Sequence, residues 1–247
     1  MGRYSNKNAV ITGGGSGMGL AMAELLVADG ARVVITGRSQ ATLDAALERL
    51  GDNAVAVRGD VAALPDLDAL ADRVKAELGT VDALFVNAGV ATLTPLESTT
   101  EEAYDELFAI NVKGAWFTVQ KLAPLLSTGA GVVLTTSVAN VIGLADTSVY
   151  AAGKAALRSM ARSFSRELLP RGIRVNAVSP GPVDTGALDA VMTAEEAERF
   201  KAERVADNPM RRFGTPEEIA RAAAFLAFDA TYTTGAELAV DGGATQL

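Results

Sequence analysis

Residues 12–19 read Thr12-Gly13-Gly14-Gly15-Ser16-Gly17-Met18-Gly19, between an apolar run at residues 9–12 and an Ala- and Leu-rich run at residues 18–29. This order predicts a tight turn that joins a first strand to a first helix. Glycine tolerates positive φ and lets a pyrophosphate approach the backbone, while the free N–H groups at the helix start favour phosphate. The G-x-x-x-G-x-G spacing predicts a dinucleotide-binding loop, a simple flexible turn being the alternative. The predicted contacts are Gly13, Ser16, Gly17, Met18 and Gly19.

The alternation of short apolar runs with longer amphipathic runs continues along the whole chain. Strands are predicted at residues 9–12, 32–36, 54–57, 83–86, 131–135, 174–178 and 237–240. Helices are predicted at residues 18–29, 40–50, 64–78, 101–126, 148–169 and 217–228. Strands that are apolar almost throughout, with helices between them, indicate a parallel sheet covered on both faces. We therefore expect an α/β fold, a three-layer doubly wound parallel sheet (Rossmann-like) of about seven strands.

One segment, residues 180–212, interrupts this alternation. It contains three prolines, lacks a strand, and includes a short charged helix candidate at residues 194–203. Long excursions near the ligand end of a compact domain are typical of lids. We expect a single NAD(P)-binding domain over residues 1–247, with a substrate lid at about residues 183–212.

Two residue types are missing from the 247 residues, namely cysteine and histidine. Their absence excludes disulfides, thiolate nucleophiles, the usual zinc sites and a Ser-His-Asp triad. Acid–base chemistry near neutral pH must therefore use Asp, Glu, Lys or Tyr with a shifted pKa.

The charge balance is acidic, with 22 Lys and Arg against 30 Asp and Glu. It argues against a nucleic-acid or membrane partner and favours a small-molecule one. The N-terminus has no apolar stretch long enough for a signal peptide, so a cytoplasmic location is expected.

The end of the second strand bears on cofactor choice. It reads Thr36-Gly37-Arg38-Ser39, without the acidic residue that would hold the ribose hydroxyls of NAD. Arg38 is suited to bidentate pairing with a 2′-phosphate, and Ser39 to a further hydrogen bond. NADP(H) is therefore predicted in preference to NAD(H), although Gly37 does not forbid NAD(H), and a solvated surface arginine is the alternative interpretation of Arg38.

Later strand ends add further candidate contacts. Asp60 and Val61 follow the third strand, where Asp60 either accepts from an adenine amino group or caps the next segment. The small residues of Asn87-Ala88-Gly89 follow the fourth strand and suit either a cofactor lying across the sheet edge or a simple turn.

The candidate catalytic residues are Tyr150, Lys154 and Ser137. Tyr150 and Lys154 are four residues apart, on one face of a predicted helix, and Ser137 follows the fifth strand. A nearby ammonium favours the phenolate form of a tyrosine, whose ordinary pKa is about 10. Tyr150 is thus expected to exchange a proton with a carbonyl oxygen that Ser137 holds by a hydrogen bond, so the pH profile of activity should report a shifted tyrosine.

With these motifs in order, the chain resembles the short-chain dehydrogenase/reductase family over essentially its whole length. The motifs are Thr12 to Gly19, Asn87-Ala88-Gly89, Asn111, Ser137, Tyr150-x-x-x-Lys154 and Pro180-Gly181-Pro182-Val183-Asp184-Thr185. The resemblance implies that Asn111 interrupts its helix to support a proton relay. It also implies cofactor contacts from Tyr150, Lys154, Pro180, Gly181, Val183 and Thr185, and a homotetramer. Two positions depart from the family pattern: Val86 replaces a usual Asn, and Ser16 a basic residue common in NADP-dependent relatives.

The predicted substrate wall is largely apolar. It comprises Val138, Asn140, Leu144, Leu188 and Met192, with residues 91–93 beside them. The chain is similar to NADP-dependent bacterial alcohol dehydrogenases and ketoreductases that accept bulky ketones, so a hydrophobic ketone or aldehyde is expected. One alternative is a 3-oxoacyl-[acyl-carrier-protein] reductase, which Arg211 and Arg212 keep open. The other is a nonenzymatic NADP-sensing or scaffold protein.

Overall fold

Seven strands form the centre of the molecule. In this computed structural model, which describes residues 2–186 and 193–247, they are β1 (Asn8–Thr12), β2 (Arg32–Gly37), β3 (Ala54–Arg58), β4 (Val81–Val86), β5 (Leu126–Thr135), β6 (Arg174–Pro180) and β7 (Glu237–Val240). All of their pairings are parallel, in the order β3-β2-β1-β4-β5-β6-β7. The predicted doubly wound parallel sheet is confirmed. The order reverses beside β1, so ligands are expected at the carboxyl ends of β1 and β4.

Helices cover both faces of this sheet. They are α1 (Gly17–Ala28), α2 (Gln40–Leu50), α3 (Leu64–Leu78), α4 (Glu101–Phe108), α5 (Ala115–Leu122), α6 (Ser148–Leu168), α7 (Ala194–Asp207) and α8 (Pro216–Ala224). Within the described residues, no helix is both long enough and apolar enough to cross a membrane.

Neighbouring residues of the central strands point into two separate apolar layers. Ile11 of β1 packs in the layer that includes Leu26 of α1 and Ile219 of α8. Val10, the preceding residue, packs in the other layer with Leu70 of α3 and Leu157 of α6. This alternation buries both faces of the sheet and explains why the strand sequences are apolar almost throughout.

The helix predicted at residues 101–126 is divided. A π-helical segment, Ala109–Gly114, separates α4 from α5, and a short turn containing Pro124 ends the run before Leu126. Residues 126–130, predicted to lie outside a strand, instead belong to β5, which shifts its register against β4 between Val81 and Ala83. The apolar pattern did not predict this extension, because the extension contains polar residues and Gly129, whose φ is +85°.

The segment predicted as a lid is joined at its two ends. Val183 forms a parallel bridge with Gly214, whose N–H donates to the carbonyl of Pro182 at 2.9 Å. Between these ends α7 begins at a capping box formed by Thr193 and Glu196 and runs to Asp207, beyond the predicted end. The two ends of the segment between Val183 and Gly214 therefore lie together beside β6.

Candidate active site

The glycine-rich turn after β1 is packed too closely for most side chains. Gly13 and Gly17 have φ values of +67° and +52°, which favour glycine. A Cβ on Gly19 would overlap the carbonyl oxygen of Gly13. Ser16 precedes α1 without forming a side-chain cap to the described first turn, so the N–H groups of that turn are available to a phosphate.

This turn forms one wall of a cavity of about 270 Å³ at the carboxyl edge of the sheet. The other walls come from the residues that follow β2, β3 and β4. The lining includes Gly13, Gly15, Ser16, Gly37, Arg38, Ser39, Asp60, Val61, Ala88 and Gly89. A cavity at a helix N-terminus that is lined by five glycines, with a guanidinium at one end, fits the adenosine diphosphate half of a nicotinamide cofactor.

Thr12 anchors the turn to the end of β4. Its buried hydroxyl oxygen accepts from the N–H groups of Asn87 at 3.0 Å and Ala88 at 3.1 Å. The Asn87 amide nitrogen lies 3.2 Å from the carbonyl oxygen of Thr12, to which it donates. The predicted cofactor residue Asn87 thus positions the turn, while Ala88 and Gly89 line the cavity. Nothing in the motif spacing singled out Thr12, because its role depends on the adjacency of β1 and β4.

Two arginines lie at the β2 end of the cavity. Arg58, the last residue of β3, pairs in register with Gly37, and its Nε donates to the carbonyl of Arg38 at 3.1 Å. Both arginines line an adjoining cavity of about 440 Å³ with Gly59, Asp60 and Asp66. Arg58 was not among the predicted residues, since it becomes a neighbour of Arg38 only through strand pairing.

Ser39 and Asp60, two predicted cofactor residues, also accept hydrogen bonds from nearby backbone N–H groups. The Ser39 hydroxyl accepts from the N–H of Thr42 at 3.3 Å at the start of α2. The Asp60 carboxylate accepts from the N–H of Ala62 at 2.9 Å. The Asp60 carboxylate thus closes a turn before α3 but does not cap that helix, which begins after Ala63 without a side-chain cap, and Asp60 also lines the cavity.

The structure brings Tyr150, Ser137 and Lys154 together at the carboxyl end of β5. Ser137 lies beside Tyr150, where its hydroxyl favours the phenolate form of the tyrosine. Lys154 Nζ lies 5.6 Å from the centroid of the Tyr150 ring and donates to the carbonyl of Thr135 at 2.9 Å. The Lys154 side chain is buried, whereas Ser137 and Tyr150 are half-buried.

Burial dominates the ionisation of both groups on α6. It raises the pKa of Tyr150 above its ordinary value, and the Ser137 hydroxyl opposes this only in part. The net direction is therefore upward, and the contribution of the Lys154 ammonium to the pKa of Tyr150 stays a prediction. Burial also lowers the pKa of Lys154 to about 8, because desolvation disfavours its charged form.

Asn111 lies in the π-helical segment with its side chain buried. Its Oδ1 accepts from the N–H of Val90 and its Nδ2 donates to the carbonyl of Val90, both at 2.8 Å. A Cβ on Gly89 would lie 3.1 Å from Asn111 Oδ1 and 3.4 Å from Lys154 Nζ. The helix interruption expected at Asn111 is present, and its relay role stays a prediction.

The lowered pKa of Lys154 predicts how the free energy of unfolding depends on pH. With a folded pKa of about 8, lowered from 10.5, the unfolded chain binds more protons than the folded one between these values, so stability rises with pH there. From pH 7.5 to 9.5 we expect the wild type to gain about 2 kcal/mol relative to Lys154→Met.

Urea unfolding of the nucleotide-free proteins at one protein concentration measures this difference. Taking Lys154→Met as the reference removes the contributions of all other titrating groups. Parallel curves for the two proteins would show that Lys154 does not carry a lowered pKa.

The residues after β6 approach the glycine-rich turn. Pro180 still pairs with Val240, and a Cβ on Gly181 would lie 2.8 Å from Asp241 Cα. A Cβ on Gly17 would lie 3.3 Å from Thr185 Cβ, so Thr185 adjoins the turn. Val183 lies in the bridge to Gly214 described above. The cofactor contacts of these four predicted residues, Pro180, Gly181, Val183 and Thr185, stay predictions.

The predicted substrate residues differ in their surroundings. Val138 is buried and Leu144 half-buried, while the Asn140 amide donates to the carbonyl of Ser137 at 2.6 Å and to Glu237 Oε1 at 3.0 Å. Leu188 and Met192 lie outside the described residues. The N–H of Thr94 donates to the carbonyl of Asp146 at 2.8 Å, which joins the segment after β4 to the loop before α6.

Comparisons with known proteins agree with this architecture. The family model described as "Enoyl-(Acyl carrier protein) reductase" matches residues 13–245. "Oxidoreductase asL5" of Sarocladium schorii is 42% identical over 248 residues, covering 99% of this chain and 98% of the relative. "2-(S)-hydroxypropyl-CoM dehydrogenase 3" of Xanthobacter autotrophicus is 34% identical, covering 99% of both chains.

A solved structure agrees as well. The crystal structure of a "Short-chain dehydrogenase/reductase SDR:Glucose/ribitol dehydrogenase" from Brucella melitensis has a TM-score of 0.92 at 31% identity, covering 100% of this chain and 99% of that one. The relatives named above are oxidoreductases, and the matches span nearly the full length of each chain. The chain therefore belongs to the short-chain dehydrogenase/reductase family, whose enzymes use the nicotinamide cofactor NAD(P).

Proposed function

We propose that this protein reduces hydrophobic ketones and aldehydes with NADPH and catalyses the reverse oxidation of the alcohols with NADP⁺. One observation carries the proposal: Tyr150 and Ser137, with Lys154 buried beside them, lie at the same sheet edge as the glycine-lined cavity. A proton donor, a hydrogen-bonding partner for a carbonyl oxygen and a dinucleotide cavity therefore share one edge.

The residues around the cavity are suited to hold the dinucleotide. Gly13 to Gly19 would face the pyrophosphate, and Asp60, Val61, Ala88 and Gly89 the adenosine. Lys154, Val183 and Thr185 would hold the nicotinamide half. When bound, the nicotinamide supplies hydride to the carbonyl carbon or accepts it from the alcohol.

NADP(H) rather than NAD(H) is proposed from the charges at the β2 end. The guanidinium groups of Arg38 and Arg58 adjoin one cavity, and no carboxylate occupies the position after Gly37. Guanidinium pairs bidentately with phosphate oxygens, whereas a carboxylate there would repel a 2′-phosphate. Arg58 extends the predicted set of 2′-phosphate contacts.

Tyr150 is proposed as the group that gives a proton to the substrate oxygen. Its raised pKa keeps the phenol protonated at neutral pH, which suits a proton donor in carbonyl reduction. Ser137 would hold the same oxygen, and the buried ammonium of Lys154 would stabilise the phenolate that forms. Asn111, tied to Val90 beside Lys154, would support return of the proton.

The substrate is proposed to be hydrophobic because apolar side chains are exposed near this edge. Leu93 is 45% and Val141 62% exposed, on the two segments that the Thr94–Asp146 hydrogen bond joins. The segment from Val183 to Arg212 would close over them as a lid. The homotetramer remains a prediction, supported by an open, largely apolar groove along α4, the π-helical segment and α5, which includes Trp116 and, from α6, Met160.

A substrate panel tests the proposal. Purified protein with NADPH is given acetophenone, cyclohexanone, benzaldehyde and an acetoacetyl thioester of acyl carrier protein. We expect kcat/KM for the best simple carbonyl to exceed that for the thioester by at least about tenfold. The same panel with NADH measures cofactor preference.

Each alternative function has its own outcome in this panel. Turnover of the thioester alone would identify an acyl-carrier-protein reductase and refute the proposed substrate class. Tight NADPH binding without turnover of any carbonyl would favour the nonenzymatic alternative.

A further inference from the structure

A carboxylate with little exposure holds the segment that carries Ser137. Glu237 opens β7, and its side chain is 14% exposed. Its Oε1 accepts from Thr136 Oγ1 at 2.6 Å and from Asn140 Nδ2 at 3.0 Å. Since Thr136 precedes Ser137 and Asn140 follows it, one carboxylate oxygen binds the segment on both sides of the serine.

The other oxygen of this carboxylate faces α6. Glu237 Oε2 lies 3.4 Å from Arg158 Nε, and the Arg158 side chain is 16% exposed. Arg158 also donates from Nη1 to the carbonyl of Gly235 at 3.0 Å, which fixes it against the start of β7. Because Tyr150, Lys154 and Arg158 recur every four residues, they lie along one face of α6.

Glu237 therefore links the two elements that carry Ser137 and Tyr150, and the relative position of these elements sets the distance between the two hydroxyls. An ion pair with so little exposure adds small net stability compared with apolar side chains of the same volume, but it specifies one geometry. The alignment of hydrogen-bonding groups with a developing charge is sensitive to shifts of about 1 Å. A link of this kind is suited to hold such an alignment.

We propose that Glu237 is a positioning residue for catalysis, which fixes Ser137 relative to Tyr150 through Thr136, Asn140 and Arg158. This inference rests on the proposed function. The side-chain contacts of Glu237 described above go to residues that do not line the glycine-lined cavity. Loss of the carboxylate should therefore lower kcat and leave the dissociation constant for NADPH unchanged.

A double-mutant cycle with Ser137→Ala tests whether Glu237 acts through Ser137. Acetophenone reduction is measured, or reduction of the best ketone of the panel, with kcat expressed per NADPH-binding site. We expect Ser137→Ala to lower kcat by about 10²-fold, and Glu237→Ala by about 10- to 100-fold. In the Ser137→Ala background, Glu237→Ala should lower kcat by less than about threefold.

Three further variants complete the experiment. Glu237→Gln keeps an oxygen that accepts from Thr136 and Asn140 but presents an amide nitrogen to Arg158, so its kcat should lie between those of the wild type and Glu237→Ala. Glu48→Ala, which removes an exposed carboxylate from α2, is the control and should leave kcat unchanged. Thr136→Val removes the 2.6 Å hydrogen bond from the other side and replaces Glu237→Ala in the cycle if that variant does not fold.

Additive losses in kcat in the double variant would overturn the inference, as would a weakened NADPH affinity that accounts for the loss in Glu237→Ala. Both results would leave ketone reduction by the wild type intact, and with it the proposed function. A wild type that reduces no ketone of the panel would overturn the proposed function and this inference together.

Discussion

Replacing Tyr150 by Phe is expected to lower kcat for ketone reduction by about 10²- to 10⁴-fold, the usual contribution of a positioned general acid. The variant loses only the hydroxyl, so the ring keeps its place on α6 above Lys154. The dissociation constant for NADPH, measured by nucleotide fluorescence, should stay at the wild-type value. The loss should therefore fall on kcat and not on cofactor binding.

The matched control is Tyr232→Phe, which removes the hydroxyl of a fully exposed tyrosine. It should leave kcat unchanged. Retention of a tenth or more of the wild-type kcat in Tyr150→Phe would exclude Tyr150 as the proton donor. Histidine cannot take over the role, because the chain contains none.

Replacing Arg38 by Asp is expected to lower the ratio of kcat/KM for NADPH to that for NADH by about 10²-fold or more. A hydrogen-bonded charged contact contributes about 1.5–3 kcal/mol, and the new carboxylate adds repulsion of the 2′-phosphate. Arg58→Ala should change the ratio in the same direction by a smaller factor, because it removes one guanidinium and adds no negative charge. The measurement is steady-state kinetics with each cofactor and a saturating ketone.

Arg32→Asp provides the same charge change at the opposite end of β2, where the side chain is exposed. It should leave the cofactor ratio unaltered, which separates a local contact from a general effect of net charge. An unchanged ratio in Arg38→Asp would refute the role of Arg38 in cofactor choice. Equal effects of Arg32→Asp and Arg38→Asp would refute it as well.

Two helices with strong local start and stop signals were predicted with the same first and last residues that the structure shows. The helix at Gln40–Leu50 begins after a Ser39 cap and ends at Gly51, and that at Leu64–Leu78 has Pro65 in its first turn and Gly79 after its end. In both cases the signals that start and stop the helix lie in its first turn or at the residues directly flanking it.

The features that escaped prediction depend on contacts distant in sequence. Arg58 meets Arg38 only through the pairing of β2 with β3, and Glu237 meets Thr136 across 101 residues. The family resemblance implied the helix interruption at Asn111, but not its hydrogen bonds to the backbone of Val90. For Tyr150 the neighbouring Lys154 was visible in the spacing, but the burial that raises the pKa of Tyr150 was not.

The bridge between Val183 and Gly214 bears on how such a protein can diversify. Because the two ends are already held together, the closure entropy of the intervening chain changes only slowly with its length. We therefore expect insertions, deletions and exchanges of residues between the two ends to leave the positions of β6, Ser137 and Tyr150 largely unchanged. The length and sequence of this segment can thus change at little cost to the parallel sheet.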